Sequence, residues 1–215
     1  MIKAVVFDMG GVLLQLDIKR CIRAFKEDAG FEDIDQFLNL YHQQGFVGDL
    51  EAGKISGEQF IAECLRHSRP GTTPEVIINC FKEFLIGLNY DMLDFIRSLK
   101  GKYRLFLLSN NNILSSQVFS QMMADEGLAF GDTFEKCFFS FQMKMLKPSP
   151  EIYRATIEGI GTRPEEILFI DDSPANVDAA RKQGIQTILY TDGMDIRSAF
   201  SGICASSALP ESENC

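Results

Sequence analysis

Ala4-Val5-Val6-Phe7-Asp8-Met9-Gly10-Gly11 is a run of four apolar residues that ends on an acid and is closed by a glycine pair. A run so short and so uninterrupted in apolar character is how a strand buried on both faces of a parallel sheet reads. Four later stretches repeat the form, over 104–108, 137–141, 167–170 and 187–190. Helix-length segments over 149–158 and 174–183 separate the later ones, and Gly184 stands where a helix-ending glycine belongs. The alternation predicts an α/β fold, a doubly wound, Rossmann-like parallel sheet of about five strands.

One interval breaks the alternation. From about Leu16 to Ile86 there is no strand-like run. Apolar residues recur instead at three- and four-residue spacing: Ile18, Ile22, Phe25; Ile34, Phe37, Leu38, Tyr41; Phe60, Ile61, Cys64, Leu65; Val76, Ile77, Cys80, Phe81, Phe84. About four helices inserted after the first strand are expected, with the sheet resuming after a helix near Tyr90–Leu99. The division predicted is an α/β core of residues 1–15 and 87–205, an inserted helical cap of residues 16–86, and a flexible tail of residues 206–215. The alternative, less favoured, is that these helices simply complete one core.

Composition narrows the function. The 215 residues carry a formal charge of -9, which argues against nonspecific nucleic-acid binding. An anionic small ligand stays open, because a few local cations or a metal reverse a local field. No stretch approaches the ~18 apolar residues of a membrane span. The N-terminal run meets Asp8 before a signal-peptide core could form, so a cytoplasmic protein is expected. Its six cysteines, none in a C-x-x-C pair, are then expected as reduced thiols.

The polar residues gather where the strands end. The first run stops at Asp8-Met9-Gly10-Gly11, the second at Ser109-Asn110-Asn111, and the fourth at Asp171-Asp172-Ser173; Lys147-Pro148 follows the third. Ligands of open parallel sheets bind at such carboxyl ends. Each element also has an ordinary reading: Asp8 as a turn residue, Ser109-Asn110-Asn111 as a helix cap, Lys147 as a solvated loop lysine. Adjacent Asp171 and Asp172 are harder to dismiss, since two acids repel unless a cation is near. A hard divalent cation with oxygen ligands is the natural partner.

In this order and spacing the chain resembles the haloacid dehalogenase-like hydrolase superfamily. Val5-Val6-Phe7-Asp8-Met9-Gly10-Gly11-Val12-Leu13 is similar to its first motif, Leu107-Leu108-Ser109-Asn110 to its second, Lys147-Pro148 to its third and Phe169-Ile170-Asp171-Asp172-Ser173 to its fourth. The insertion resembles the family's helical cap. Glu51-Ala52-Gly53-Lys54-Ile55-Ser56 is similar to a cap stretch of sugar-phosphate phosphatases related to the glucose-1-phosphate phosphatase branch. The resemblance implies a sheet with the first strand central, and a Mg²⁺-dependent phosphatase that hydrolyses a small phosphorylated metabolite, a sugar phosphate above all. It implies Asp8 as nucleophile through an aspartyl-phosphate. Lys147 would offset phosphate charge, Ser109 and Asn110 would hold the phosphoryl group, and Asp8, the Gly10 carbonyl, Asp171 and Asp172 would serve the metal. Asn176 would support that site from behind.

The chain departs from the family's pattern at Gly10, where most of its phosphatases carry the acid that protonates the leaving group. General acid–base catalysis is worth about 10²–10⁴-fold. Asp17 and His42 are candidate substitutes; a good leaving group would need less help. Two competing readings remain: a feebly active or inactive protein that binds a phospho-ligand or partner, and a metal-free 2-haloacid dehalogenase, against which the Asp171–Asp172 pair counts. A serine or cysteine hydrolase is disfavoured, because the two histidines, His42 and His67, both fall in the insertion and no nucleophile elbow is present. Residues 41–44 and 45–49 are candidates to line the substrate face of the insertion. The sequence carries no signal for oligomeric state.

Overall fold

The structure is a computed structural model and describes residues 1–38 and 45–206. Five parallel strands form the main sheet: β1 (Ala4–Phe7), β4 (Arg104–Ser109), β5 (Lys136–Phe139), β6 (Ile167–Asp171) and β7 (Gln186–Leu189), in the order β5-β4-β1-β6-β7. Two short strands, β2 (Leu14–Leu16) and β3 (Leu85–Leu88), pair antiparallel beside it. The helices are α1 (Ile18–Glu27), α2 (Gly45–Glu51), α3 (Gly57–His67), α4 (Pro74–Lys82), α5 (Tyr90–Leu99), α6 (Ile113–Asp125), α7 (Phe130–Thr133), α8 (Ser140–Met143), α9 (Pro150–Ile160), α10 (Pro174–Arg181) and α11 (Ile196–Ser206).

The continuous apolar character of β1 follows from its central position. Val5 and Phe7 enter one apolar cluster with Leu105, Leu107, Leu168 and Ile170. Ala4 and Val6 enter another with Phe106, Leu108, Ile167 and Phe169. Alternate residues thus bury on opposite faces, and neither face has room for a polar residue. Full burial of one such large aliphatic or aromatic side chain stabilises by about 1.5–3 kcal/mol. Register is fixed on both flanks, Val5 opposite Leu105 and Leu168, Phe7 opposite Leu107 and Ile170. Chain order reverses direction across β1, so β1 and its two neighbours deliver their carboxyl ends to a topological switch point.

Helices α1 to α4 pack on one another around a cluster of their own, with Phe25, Phe31, Ile34, Phe60, Cys64 and Ile77 fully buried. Cys21, Cys64 and Cys80 lie in that cluster as free thiols, and no disulfide occurs among the described residues. Among the described residues, no helix is long and apolar enough to cross a membrane.

Several boundaries differ from expectation. The third strand ends at Phe139, and the expected residues 140 and 141 begin α8, because Ser140 turns inward to hydrogen-bond backbone groups. The last strand begins one residue early, and the helix expected over 149–158 is Pro150–Ile160. The ribbon β2–β3 was not anticipated, and β3 starts inside the stretch read as strand-free. Its strands have three and four residues of mixed burial, which leaves no periodicity to detect.

Candidate active site

Asp8 leaves the end of β1 with its amide donating to the Ile170 carbonyl at 2.9 Å, so the β6 register carries past Phe7. Its Oδ1 accepts from the Met9 amide at 2.7 Å and sits 2.8 Å from Lys147 Nζ. Oδ2 has no hydrogen-bond partner among the described residues. Lys147 Nζ also lies 2.7 Å from Asp171 Oδ2 and donates to the Leu108 carbonyl at 3.1 Å. The ammonium is therefore enclosed by two carboxylates and a carbonyl, with the lysine only 5% exposed. Asn110 aims it: the Asn110 side chain donates to the Lys147 carbonyl at 2.9 Å and accepts from the Lys147 amide at 2.8 Å. The Lys147–Pro148 peptide is cis.

Asp171 is wholly buried and its carboxylate is saturated. Besides Lys147 it accepts from the Ser173 amide at 2.8 Å and from Asn176 Nδ2 at 3.0 and 3.1 Å. Asp172 forms no ion pair among the described residues. Its Oδ2 would lie 2.0 Å from a Cβ placed on Gly11, whose φ is +71°. Only a glycine there permits the approach. Carboxylate oxygens of Asp8, Asp171 and Asp172 fall within 4.8 Å of one another.

The electrostatics reflect this crowding. Burial, helped by Asp171 and Asp172, pushes the Asp8 carboxyl up to about 7 against the pull of Lys147. Burial and the Asp171 charge also raise Asp172. Burial opposes the Lys147 ammonium, yet Asp171 and Asp8 outweigh it and hold its pKa above the ordinary lysine value. One lysine is thus too little positive charge for three acids. An all-oxygen donor set with a surplus of negative charge, and a carboxylate cradled on a Cβ-less glycine, fits a small hard divalent cation such as Mg²⁺.

Beside the end of β1, next to Asp8, opens a small cavity. Met9, Gly10, Ser109 and Asn110 line it from the strand ends; Leu16, Cys21, Val47, Glu51, Phe81 and Phe84 line it from the insertion. Ser109 is 3% exposed, with Oγ 3.3 Å from the Asn110 carbonyl.

The structure thus brings together Asp8, Lys147, Asp171 and Asp172, and sets Ser109, Asn110 and Gly10 around the adjoining cavity. Asn176 stands behind Asp171, as expected. Asp17 is elsewhere employed: its carboxylate caps α1, accepting from the Lys19 and Arg20 amides at 2.9 and 3.1 Å. His42, with residues 41–44, lies outside the described residues, as does the tail from 207 onward. Two residues that the sequence reading passed over belong to the site. Ser140 ties α2 to the loop after β4, and Glu51 faces the cavity. Glu51 heads the stretch 51–56, two residues before Gly53, and nothing in the local sequence marks it as facing the cavity.

A doubly wound α/β protein with a lysine-clamped aspartate and an acidic cation cluster at the sheet's switch point is a hydrolase of phosphoryl or related groups in build. The chain belongs to the haloacid dehalogenase-like hydrolase family, whose pattern it matches over residues 2–184. It is 33% identical over 208 residues to the D-ribitol-5-phosphate phosphatase of Bacteroides thetaiotaomicron, covering 94% of this chain and 98% of that one. A crystal structure of a family enzyme from the same organism, in complex with magnesium and inorganic phosphate, superposes with a TM-score of 0.85 at 33% identity, covering 93% of this chain and all of that one. A predicted family hydrolase from Porphyromonas gingivalis superposes with a TM-score of 0.84 at 36% identity, covering 95% and 98%.

Proposed function

We propose that this protein is a Mg²⁺-dependent phosphatase that hydrolyses a small phosphorylated sugar or alditol through an aspartyl-phosphate on Asp8. The observation that carries the reading is Lys147, buried between Asp8 and Asp171 with Asp172 beside them. That arrangement fixes a carboxylate beside charge built to receive an anion. It also disfavours the metal-free dehalogenase, which has no use for three crowded acids. The phosphatase activity of the Bacteroides thetaiotaomicron relative supports the same reading.

Asp8 and Asp172, with the Gly10 carbonyl, are the groups that would hold Mg²⁺; Asp171, saturated by Lys147, Asn176 and the Ser173 amide, would act through water. When bound, the ion offsets the repulsion between a phosphate dianion and the attacking carboxylate. Lys147 and the Met9 amide pin Asp8 Oδ1, which leaves Oδ2 as the attacking oxygen. Ser109 Oγ and the Asn110 amide steady the transferring phosphoryl group. The α1–α4 segment, residues 16–86, acts as the cap: it has its own apolar cluster, enters through β2, leaves through β3 and lines the cavity together with Ser109. A closed cap excludes water and selects the substrate's carbon skeleton. The stretch 51–56 favours sugar-phosphate chemistry of the glucose-1-phosphate phosphatase branch; the relative's substrate favours an alditol phosphate.

The test is phosphate release from a panel of sugar and alditol phosphates, with Mg²⁺ or EDTA, by wild type and Asp8→Asn. Turnover by wild type only with Mg²⁺, and loss of at least about 10³-fold in Asp8→Asn, are expected from removing a covalent nucleophile. Equal turnover by both proteins would overturn the nucleophile assignment. An inert wild type that still binds phosphate would make it a phospho-ligand-binding protein.

A further inference from the structure

We infer that Glu51 supplies the proton chemistry that Gly10 cannot, as the general acid and then the general base of phosphate-ester hydrolysis. The inference rests on the phosphatase reading. Gly10 and Ser109, from the strand ends, and Glu51, from the end of α2, line one cavity beside Asp8. Among the described residues around that cavity, Glu51 is the single carboxylic acid. Its only titratable companion there, the Cys21 thiol, is pushed by burial up to about 12 and exchanges no proton near neutrality. Lys147 is committed to Asp8 and Asp171. Asp17 caps α1.

Glu51 is held at this place by its backbone, while no described residue hydrogen-bonds its carboxylate. Ser140 Oγ accepts from the Asn111 amide at 2.9 Å and lies 2.7 Å from the Glu51 carbonyl, so one hydroxyl joins the end of α2 to the loop after β4. Gly53, with φ +64°, brings the turn after α2 so close that a Cβ would lie 2.0 Å from the Phe141 carbonyl oxygen. No hydrogen bond or ion pair engages the Glu51 side chain among the described residues. Burial, against the pull of Lys147, lifts its carboxyl to about 7, where one group serves as acid and base in turn.

In the first step Asp8 Oδ2 forms a bond to phosphorus as the bond from phosphorus to the leaving oxygen breaks. That oxygen takes the Glu51 proton and departs as an alcohol. In the second, the Glu51 carboxylate takes a proton from water as the water oxygen bonds to phosphorus. The Asp8–phosphorus bond breaks, releasing inorganic phosphate and restoring the Asp8 carboxylate and the protonated Glu51.

The test compares wild type with Glu51→Gln on two substrates in Mg²⁺. One is 2,4-dinitrophenyl phosphate, whose leaving group needs no proton; the other is ribitol 5-phosphate, whose alkoxide does. Glu51→Gln is expected to release one dinitrophenolate per enzyme in a burst, then turn over about 10²–10⁴-fold more slowly than wild type. With ribitol 5-phosphate it should show neither burst nor turnover. Unchanged turnover, or equal slowing on both substrates without a burst, would overturn the assignment, since a merely structural role would slow both alike. Should Glu51→Gln not fold, wild-type kcat/KM across alkyl and aryl phosphates decides: near-independence of leaving-group pKa supports an acid, and steep dependence removes it. A wild type inert toward both substrates would bring down the phosphatase reading and this inference together.

Discussion

Lys147 is a cation shut away from water, and its neighbours decide what it does. A lysine so placed is tolerable only because Asp8 and Asp171 contact it at 2.8 and 2.7 Å. Replacing it by methionine leaves two buried acids facing each other. In urea unfolding without Mg²⁺, Lys147→Met should be destabilised by about 3–5 kcal/mol. A loss under about 1 kcal/mol would mean the pair is far better solvated than its burial implies. Glu166 shows the opposite electrostatics. Hydrogen bonds from Arg163 and Lys3 hold its carboxyl down at about 2, below its ordinary 4.5, tying the start of β1 to the turn before β6. A depressed carboxyl contributes stability that is full above its unfolded value and is lost as pH falls through the folded one. The Tm gap between wild type and Glu166→Gln should therefore be widest above pH 4.5 and close as pH falls toward 2. At this scale the sequence was informative for residues at strand ends. It was silent on Glu51, because nothing local says which way the end of α2 faces.

Elements matter here through where they dock. The segment from Glu51 to Gly53 lies against Ser140 and Phe141, joining the inserted helices to the sheet's active end. Gly53→Ala places a methyl group on the Phe141 carbonyl at a positive φ, and should cost about 1–3 kcal/mol in backbone strain. The displaced turn should also move Glu51, and misplacement by about 1 Å can cost 10²-fold in rate. Gly71 is the control. Its φ is +90° but a Cβ there meets nothing, so Gly71→Ala should lose stability alone and keep its kcat. If the two variants kept equal kcat, the docked turn would have no part in catalysis. The strands and α5 were legible in the sequence, since burial on two faces or on one stripe writes itself into periodicity. The β2–β3 ribbon was not, since three or four half-exposed residues impose no pattern.

For the molecule as a whole, the net charge of -9 now has a local meaning. Three of its acids crowd within 4.8 Å at the sheet's switch point, with one lysine among them. A ligand that binds only the folded state stabilises it by mass action, so Mg²⁺ at about 100 times its Kd should add about 2.7 kcal/mol. Calorimetry with and without Mg²⁺ should show the higher Tm in wild type and a much smaller shift in Asp172→Asn. A wild-type Tm indifferent to Mg²⁺ would argue that the acids do not form a metal site. The sequence by itself determined the parallel α/β sheet, the helical insertion and the four strand-end motifs. Those depend on burial periodicity and on residues whose chemistry is costly unless used. Only the tertiary structure decided that Lys147 pairs with both Asp8 and Asp171, and that Glu51 and Gly10 line one cavity. Those facts depend on the approach of residues about 24 to 139 positions apart, and local sequence carries no record of such approaches.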